Sequence, residues 1–126
     1  MLKTLSLAVA LAALAASTAI AAGPAMVGST AKGPTLVDAG GMTLYTFDKD
    51  SGGKSVCNGK CAQNWPPLAA AAGTQPDPGY SFITRDDGTL QWAYKGRPLY
   101  TFVKDGKAGD ISGDGFLDGA WHVAQP

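Results

Sequence analysis

The chain has 126 residues with ten basic and ten acidic side chains, so it carries no net charge, and that balance gives no footing for nucleic acid or an anionic membrane as a partner. All ten acids are Asp, and they stand with seventeen Gly and eight Pro. Such a composition argues against long helices and for strands joined by tight turns, since these residues favour turns over helix interiors.

Lys3 begins a run, residues 5–20, made almost wholly of Leu, Ala, Val and Ile, and Ala19-Ile20-Ala21 supplies small residues at its end. This is the pattern of a secretory signal peptide, expected over 1–21 with cleavage after Ala21 or Ala22. The mature domain, 22–126, is then periplasmic or secreted. No second apolar run follows, so no stable membrane insertion is expected after cleavage. The cysteines are Cys57 and Cys61, neither at the start of the mature chain where a lipid anchor needs one. About 105 residues remain, one domain with a small core.

The strongest internal signal is a repeat. Leu44-Tyr45-Thr46-Phe47-Asp48-Lys49-Asp50 returns as Leu99-Tyr100-Thr101-Phe102-Val103-Lys104-Asp105, with Gly41 matching Gly96 upstream and Trp65 matching Trp121 downstream. Repeat one spans about 34–68, repeat two about 80–124, and 69–79 is a linker without regular structure. Each repeat opens with a hairpin, 35–39 and 42–47 around Gly40-Gly41, then 90–94 and 97–103 around Lys95-Gly96. Glycine supplies the positive φ that two-residue hairpin turns require. Side chains alternate along a strand, so Tyr45 and Phe47 share a face, taken as the core side, with Leu44 and Thr46 opposite. Asp50 and Asp105 stand where strand gives way to loop and should accept backbone N–H bonds there. A helical turn is expected over 59–64, capped by Asn58 and ended by Pro66-Pro67, and nothing else reads as helical. Residues 80–84 form a further strand that turns at Asp86-Asp87-Gly88 into the second repeat. The expected fold is all-β, one small antiparallel domain of two tandem hairpin-plus-loop repeats with at most one short helical turn, the aromatic faces of both repeats meeting in one core.

Tyr45, Phe47 and Asp50, repeated as Tyr100, Phe102 and Asp105, resemble the secreted-repeat family, predicted lipoproteins with a Y-x-(F/W/Y)-x-x-D motif. Cys57 and Cys61 before Trp65-Pro66-Pro67-Leu68, and Gly113-Asp114-Gly115-Phe116 before Trp121, strengthen the likeness. The resemblance covers roughly 33–123. It implies an exported protein of a family without established activity, and this chain differs from the lipoprotein label in lacking a lipidation cysteine.

In an exported protein with no other cysteine, Cys57 and Cys61 are expected to form a disulfide. Closing so small a loop contributes about 2 kcal/mol on the chain-entropy estimate. Cys57 should precede the helical turn and Cys61 lie within it. Thiolates also suit copper, but a C-x3-C-x3-H-x2-M arrangement would place ligands where Trp65 and Leu68 stand. The single histidine, His122, follows Trp121 in a strand and reads as structural or exposed. Asp110, Ser112, Asp114 and Asp118, with Gly115, imitate the start of a calcium loop, yet Trp121 stands where a bidentate Glu belongs. No catalytic motif is present. The reading is a non-enzymatic binding or envelope-associated module, its partner an unidentified protein or envelope component, with no cofactor; the alternative is copper or calcium handling.

Overall fold

The structure, a computed structural model, describes residues 24–126; the expected signal segment, 1–21, lies outside the described residues. Seven short strands follow one another: β1 (Met26–Thr30), β2 (Gly33–Val37), β3 (Tyr45–Phe47), β4 (Tyr80–Thr84), β5 (Leu90–Tyr94), β6 (Arg97–Pro98) and β7 (Trp121–Val123). They form three antiparallel sheets, β1-β2, β3-β7 and β4-β5-β6. Between them lie two short helical turns, α1 (Lys60–Asn64) and α2 (Phe116–Gly119). Among the described residues no helix is long and apolar enough to cross a membrane.

The two repeats interlock about a pseudo-twofold axis that passes between Tyr45 and Tyr100. These residues exchange both backbone hydrogen bonds, at 2.8 and 3.0 Å. Equivalent bonds radiate from that pair. Leu44 C=O accepts Ala124 N–H at 2.8 Å, and Leu99 C=O accepts Leu68 N–H at 2.9 Å. Asp48 N–H donates to Ala120 at 2.8 Å, and Val103 N–H donates to Asn64 at 3.0 Å. Thus the final stretch of each repeat, 64–68 in the first and β7 in the second, lies on the repeated segment of the other. A repeat folded alone would leave the backbone groups of its central segment without partners, a cost comparable to the lost hydrogen bonds.

Alternation along the repeated segments feeds two cores. Tyr45, Phe47, Tyr100 and Phe102 turn inward with Trp65, Trp121, Cys57 and Val123. On the opposite face Leu44 and Leu99 join Leu36, Trp92 and Ala124. Inside the first core four rings stack across the axis in the order Phe47, Trp121, Trp65, Phe102, at centroid spacings of 4.1, 3.8 and 4.0 Å. Tyr45 meets Trp65 edge-on at 5.3 Å and Tyr100 meets Trp121 edge-on at 5.0 Å. Each such pair is worth roughly 0.5–1.5 kcal/mol beyond its buried area, so the tryptophan of each repeat is held by aromatic residues of both.

Several expectations are corrected. The second face of the repeated segment is core as well, since Leu44 and Leu99 are fully buried. The partner of β3 is β7 rather than 35–39; the first hairpin keeps a bridge between Val37 and Thr43 and a bond from Leu44 N–H to Leu36. Its turn widens to 38–42 because the Asp38 carboxylate accepts the N–H groups of Gly40 and Met42. The strand β1 was not anticipated. The segment treated as linker from residue 69 starts later, since Ala69 bridges Gln91 and Ala70 N–H donates to Leu90. Asn58 does not cap α1: the N-cap is Gly59, without a side-chain bond, and the Asn58 amide reaches Asp86 instead. The second helical turn, α2, is irregular, with Leu117 and Asp118 in left-handed conformations.

Candidate functional site

The repeated aromatic and acidic residues converge on the interior. Tyr45 Oη donates to Asp105 Oδ2 at 2.7 Å, while Tyr100 Oη donates to Asp50 Oδ2 at 2.6 Å. The pairs cross between repeats, the tyrosine of one gripping the aspartate of the other. The second oxygen of each carboxylate fixes its own loop, accepting Val56 N–H at Asp50 and Ser112 N–H at Asp105. Burial, then the neighbouring Asp105, push the Tyr45 hydroxyl far above the usual tyrosine value; burial and Asp50 do the same at Tyr100. Burial also raises the Asp50 carboxyl, against the opposing pull of Tyr100, Val56 N–H and Arg85.

Cys57 and Cys61 are joined in a disulfide, with Cys57 before α1 and Cys61 within it. Beside it Arg85, 5% exposed, donates to Gln91 Oε1 at 2.7 Å, to Ser55 Oγ at 3.0 Å and to the Cys57 carbonyl. Ser55 Oγ lies 2.6 Å from Tyr100 Oη, so the disulfide loop, Arg85 and the tyrosine–aspartate pair form one buried polar network. The first repeat has a smaller version, Thr30 Oγ1 to Thr35 Oγ1 at 2.8 Å.

The aspartates of the imitated calcium loop are engaged separately. Asp110 accepts the N–H groups of Gly106 and Lys107. Asp114 accepts Val123 N–H and pairs with Lys32 at 2.8 Å; burial pulls its carboxyl up, but Lys32 and Val123 outweigh it and hold it below the usual range. Asp118 is exposed. Among the described residues no three His, Cys or acidic side chains gather as a metal site.

The surface feature built by both repeats is a cleft of about 400 Å³ lined by Thr46, Asp48, Tyr94, Lys95, Arg97, His122, Val123, Ala124 and Gln125. Antiparallel register sets Thr46 opposite His122, and alternation turns both away from the aromatic core. His122 Nε2 lies 2.7 Å from Asp48 Oδ2, which orients the imidazole across the seam between repeats. The far wall is the β5–β6 turn. Lys95 and Gly96 both have positive φ, 50° and 83°, as a two-residue hairpin turn demands, and Lys95 N–H is tied to Gly79 C=O at 2.8 Å. A shallower cleft of about 250 Å³ adjoins, sharing Asp48 and Arg97. Sequence reading placed Asp48 in the repeated segment and Lys95 in a hairpin turn, and took none of Asp48, Tyr94, Lys95 and Arg97 as a site residue. The one available signal was strand alternation from Trp121, which sends His122 outward.

The profile of the family described as "Secreted repeat of unknown function" matches residues 26–69 and again 81–125. The chain belongs to that family. Both copies of the secreted repeat are matched, and the first begins at β1. No curated protein and no solved structure matches this secreted repeat.

Proposed function

We propose that the protein is an exported, non-enzymatic binding module of the periplasm or cell exterior that offers the cleft between β7 and the β5–β6 turn to a partner protein or an envelope component. One observation carries this reading: the repeated tyrosines, phenylalanines, aspartates and tryptophans are consumed in locking the repeats together, while both repeats combine to wall a cleft at the surface that carries Asp48, Lys95, Arg97 and His122. A rigid scaffold presenting loop and strand-end residues is how binding sites are commonly built. The His122–Asp48 pair orients an imidazole, and the chemistry it supplies is hydrogen bonding and charge.

The test immobilises the mature protein, passes an envelope extract over it, and compares it with the variant Gln125→Trp, which crowds the cleft from an exposed position without adding charge, and with Lys60→Gln on α1. A component retained by the parent and by Lys60→Gln, but lost with the cleft variant, supports the reading. Equal retention by all three rejects the cleft as the binding surface.

A further inference from the structure

We propose that the cleft recognises an anionic group, a carboxylate or phosphate on a small polar ligand, through Lys95 and Arg97; this rests on the binding-module reading and narrows it. Among the described residues, Lys32, Lys54 and Lys107 make ion pairs, whereas Lys49, Lys60, Lys104, Lys95 and Arg97 do not, and of these five only Lys95 and Arg97 line the cleft. In a chain whose ten bases balance ten acids, the cleft thus holds two cations without an ion-pair partner and a single carboxylate, Asp48, which is hydrogen-bonded to His122. The chain has two arginines: Arg85 is buried with its donors in use, and Arg97 stands at the wall shared by both clefts.

The backbone points the same way. Lys95 holds φ at 50°, a left-handed conformation that disfavours side chains with a Cβ by roughly 1–2 kcal/mol and that glycine or asparagine occupies more readily. The Lys95 ammonium lies 5.2 Å from the centroid of the Tyr94 ring, a cation–π contact that restrains it at the cleft rim. Two residues on, Arg97 pairs with Tyr94 across the turn, so its Cα is fixed by the same hairpin. A rigid turn thereby presents an ammonium and a guanidinium to one space. The guanidinium fork matches the two oxygens of a carboxylate or phosphate, and such charge-assisted bonds are about twice as strong as neutral ones. A volume of about 400 Å³ fits a single acidic sugar or a phosphate-bearing headgroup rather than a long polymer enclosed whole.

The experiment titrates the isotopically labelled mature protein with sodium phosphate, sodium glucuronate and neutral glucose, with ionic strength held by sodium chloride, and follows amide and histidine resonances. Saturable shifts at Lys95, Gly96, Arg97 and His122 with phosphate or glucuronate, absent with glucose, are expected. Arg97→Gln should weaken that binding about tenfold or more with the remaining spectrum unmoved, and Lys60→Gln should leave it unchanged. Phosphate alone acting identifies a phosphate ligand, and glucuronate alone a carboxylate ligand. Shifts spread without saturation over Lys49, Lys60 and Lys104 would overturn the inference, as would failure of both anions at millimolar concentration. Glucose saturating the same cleft would overturn it while sparing the binding-module reading, whereas an envelope extract that also leaves the cleft untouched would remove both.

Discussion

Removing the Tyr45 hydroxyl is the sharpest perturbation of the crossed tyrosine–aspartate pairs. In Tyr45→Phe, Asp105 loses a 2.7 Å donor while remaining 9% exposed, and Gly113 N–H loses the acceptor it reaches at 3.2 Å. A hydrogen bond to a buried carboxylate is worth about 1.5–3 kcal/mol, so a loss of about 2 kcal/mol is expected, lowering Tm by roughly 8–16 °C in a domain of this size. The decisive quantity is a coupling energy. In a double-mutant cycle read by urea denaturation, Tyr45→Phe and Asp105→Ala should couple by about 1 kcal/mol or more, because they remove the same bond. Tyr45→Phe and Asp50→Ala, five residues apart in one repeat but joined to different partners, should add within about 0.5 kcal/mol. Coupling inside the repeat and additivity across repeats would refute the crossed arrangement.

Three further outcomes follow from the same packing. Gly113→Ala would place a Cβ 2.5 Å from the Trp65 ring, which is wedged between Trp121 and Phe102 and cannot retreat; a loss of roughly 1–3 kcal/mol is expected by chemical denaturation, and an unchanged midpoint would contradict the close approach. Reducing the Cys57–Cys61 disulfide should lower stability by about 2 kcal/mol without unfolding the domain, as seen by near-ultraviolet circular dichroism, and a larger collapse would mean that the Arg85 network depends on it. In an alkaline titration read at 295 nm, Tyr45 and Tyr100 should keep their protons beyond the ordinary tyrosine range, being raised by burial. The native state then binds more protons than the unfolded chain above about pH 10, so the contribution of these hydroxyls is full below that pH and falls as pH rises past it. Ionisation of all four tyrosines in a single early step with the fold intact would contradict their burial.

Much of the fold was legible because the repeat places the same residue types in the same order. Period-two alternation in Leu-Tyr-Thr-Phe, the turn at Lys95-Gly96 and the paired cysteines each signal local structure, and local structure is what spacing encodes. Exchange of strands between repeats was not legible, since a duplicated pattern is equally compatible with two self-contained hairpins; only the backbone partners of Tyr45 and Tyr100 distinguish them. The aspartates show the same boundary. Their turn-fixing oxygens were predictable from loop chemistry, whereas their second oxygens bind a tyrosine 50 or 60 residues away. Strand β1 could have been found by aligning Gly33 with Gly88, which matches Met26–Thr30 to the strand before Asp86-Asp87-Gly88. The cleft was out of reach because Thr46, Tyr94, Arg97 and His122 meet only once the repeats have interlocked.

Interlocking itself is tested most directly by cutting the chain between the repeats. A protease site inserted between Gln75 and Pro76, in the largely exposed stretch 71–79, permits cleavage of the folded full-length protein. The two halves should stay together as one particle by native mass spectrometry, retain the near-ultraviolet signal of the stacked tryptophans, and come apart only on denaturation. Halves that separate under native conditions, each still folded, would contradict the account.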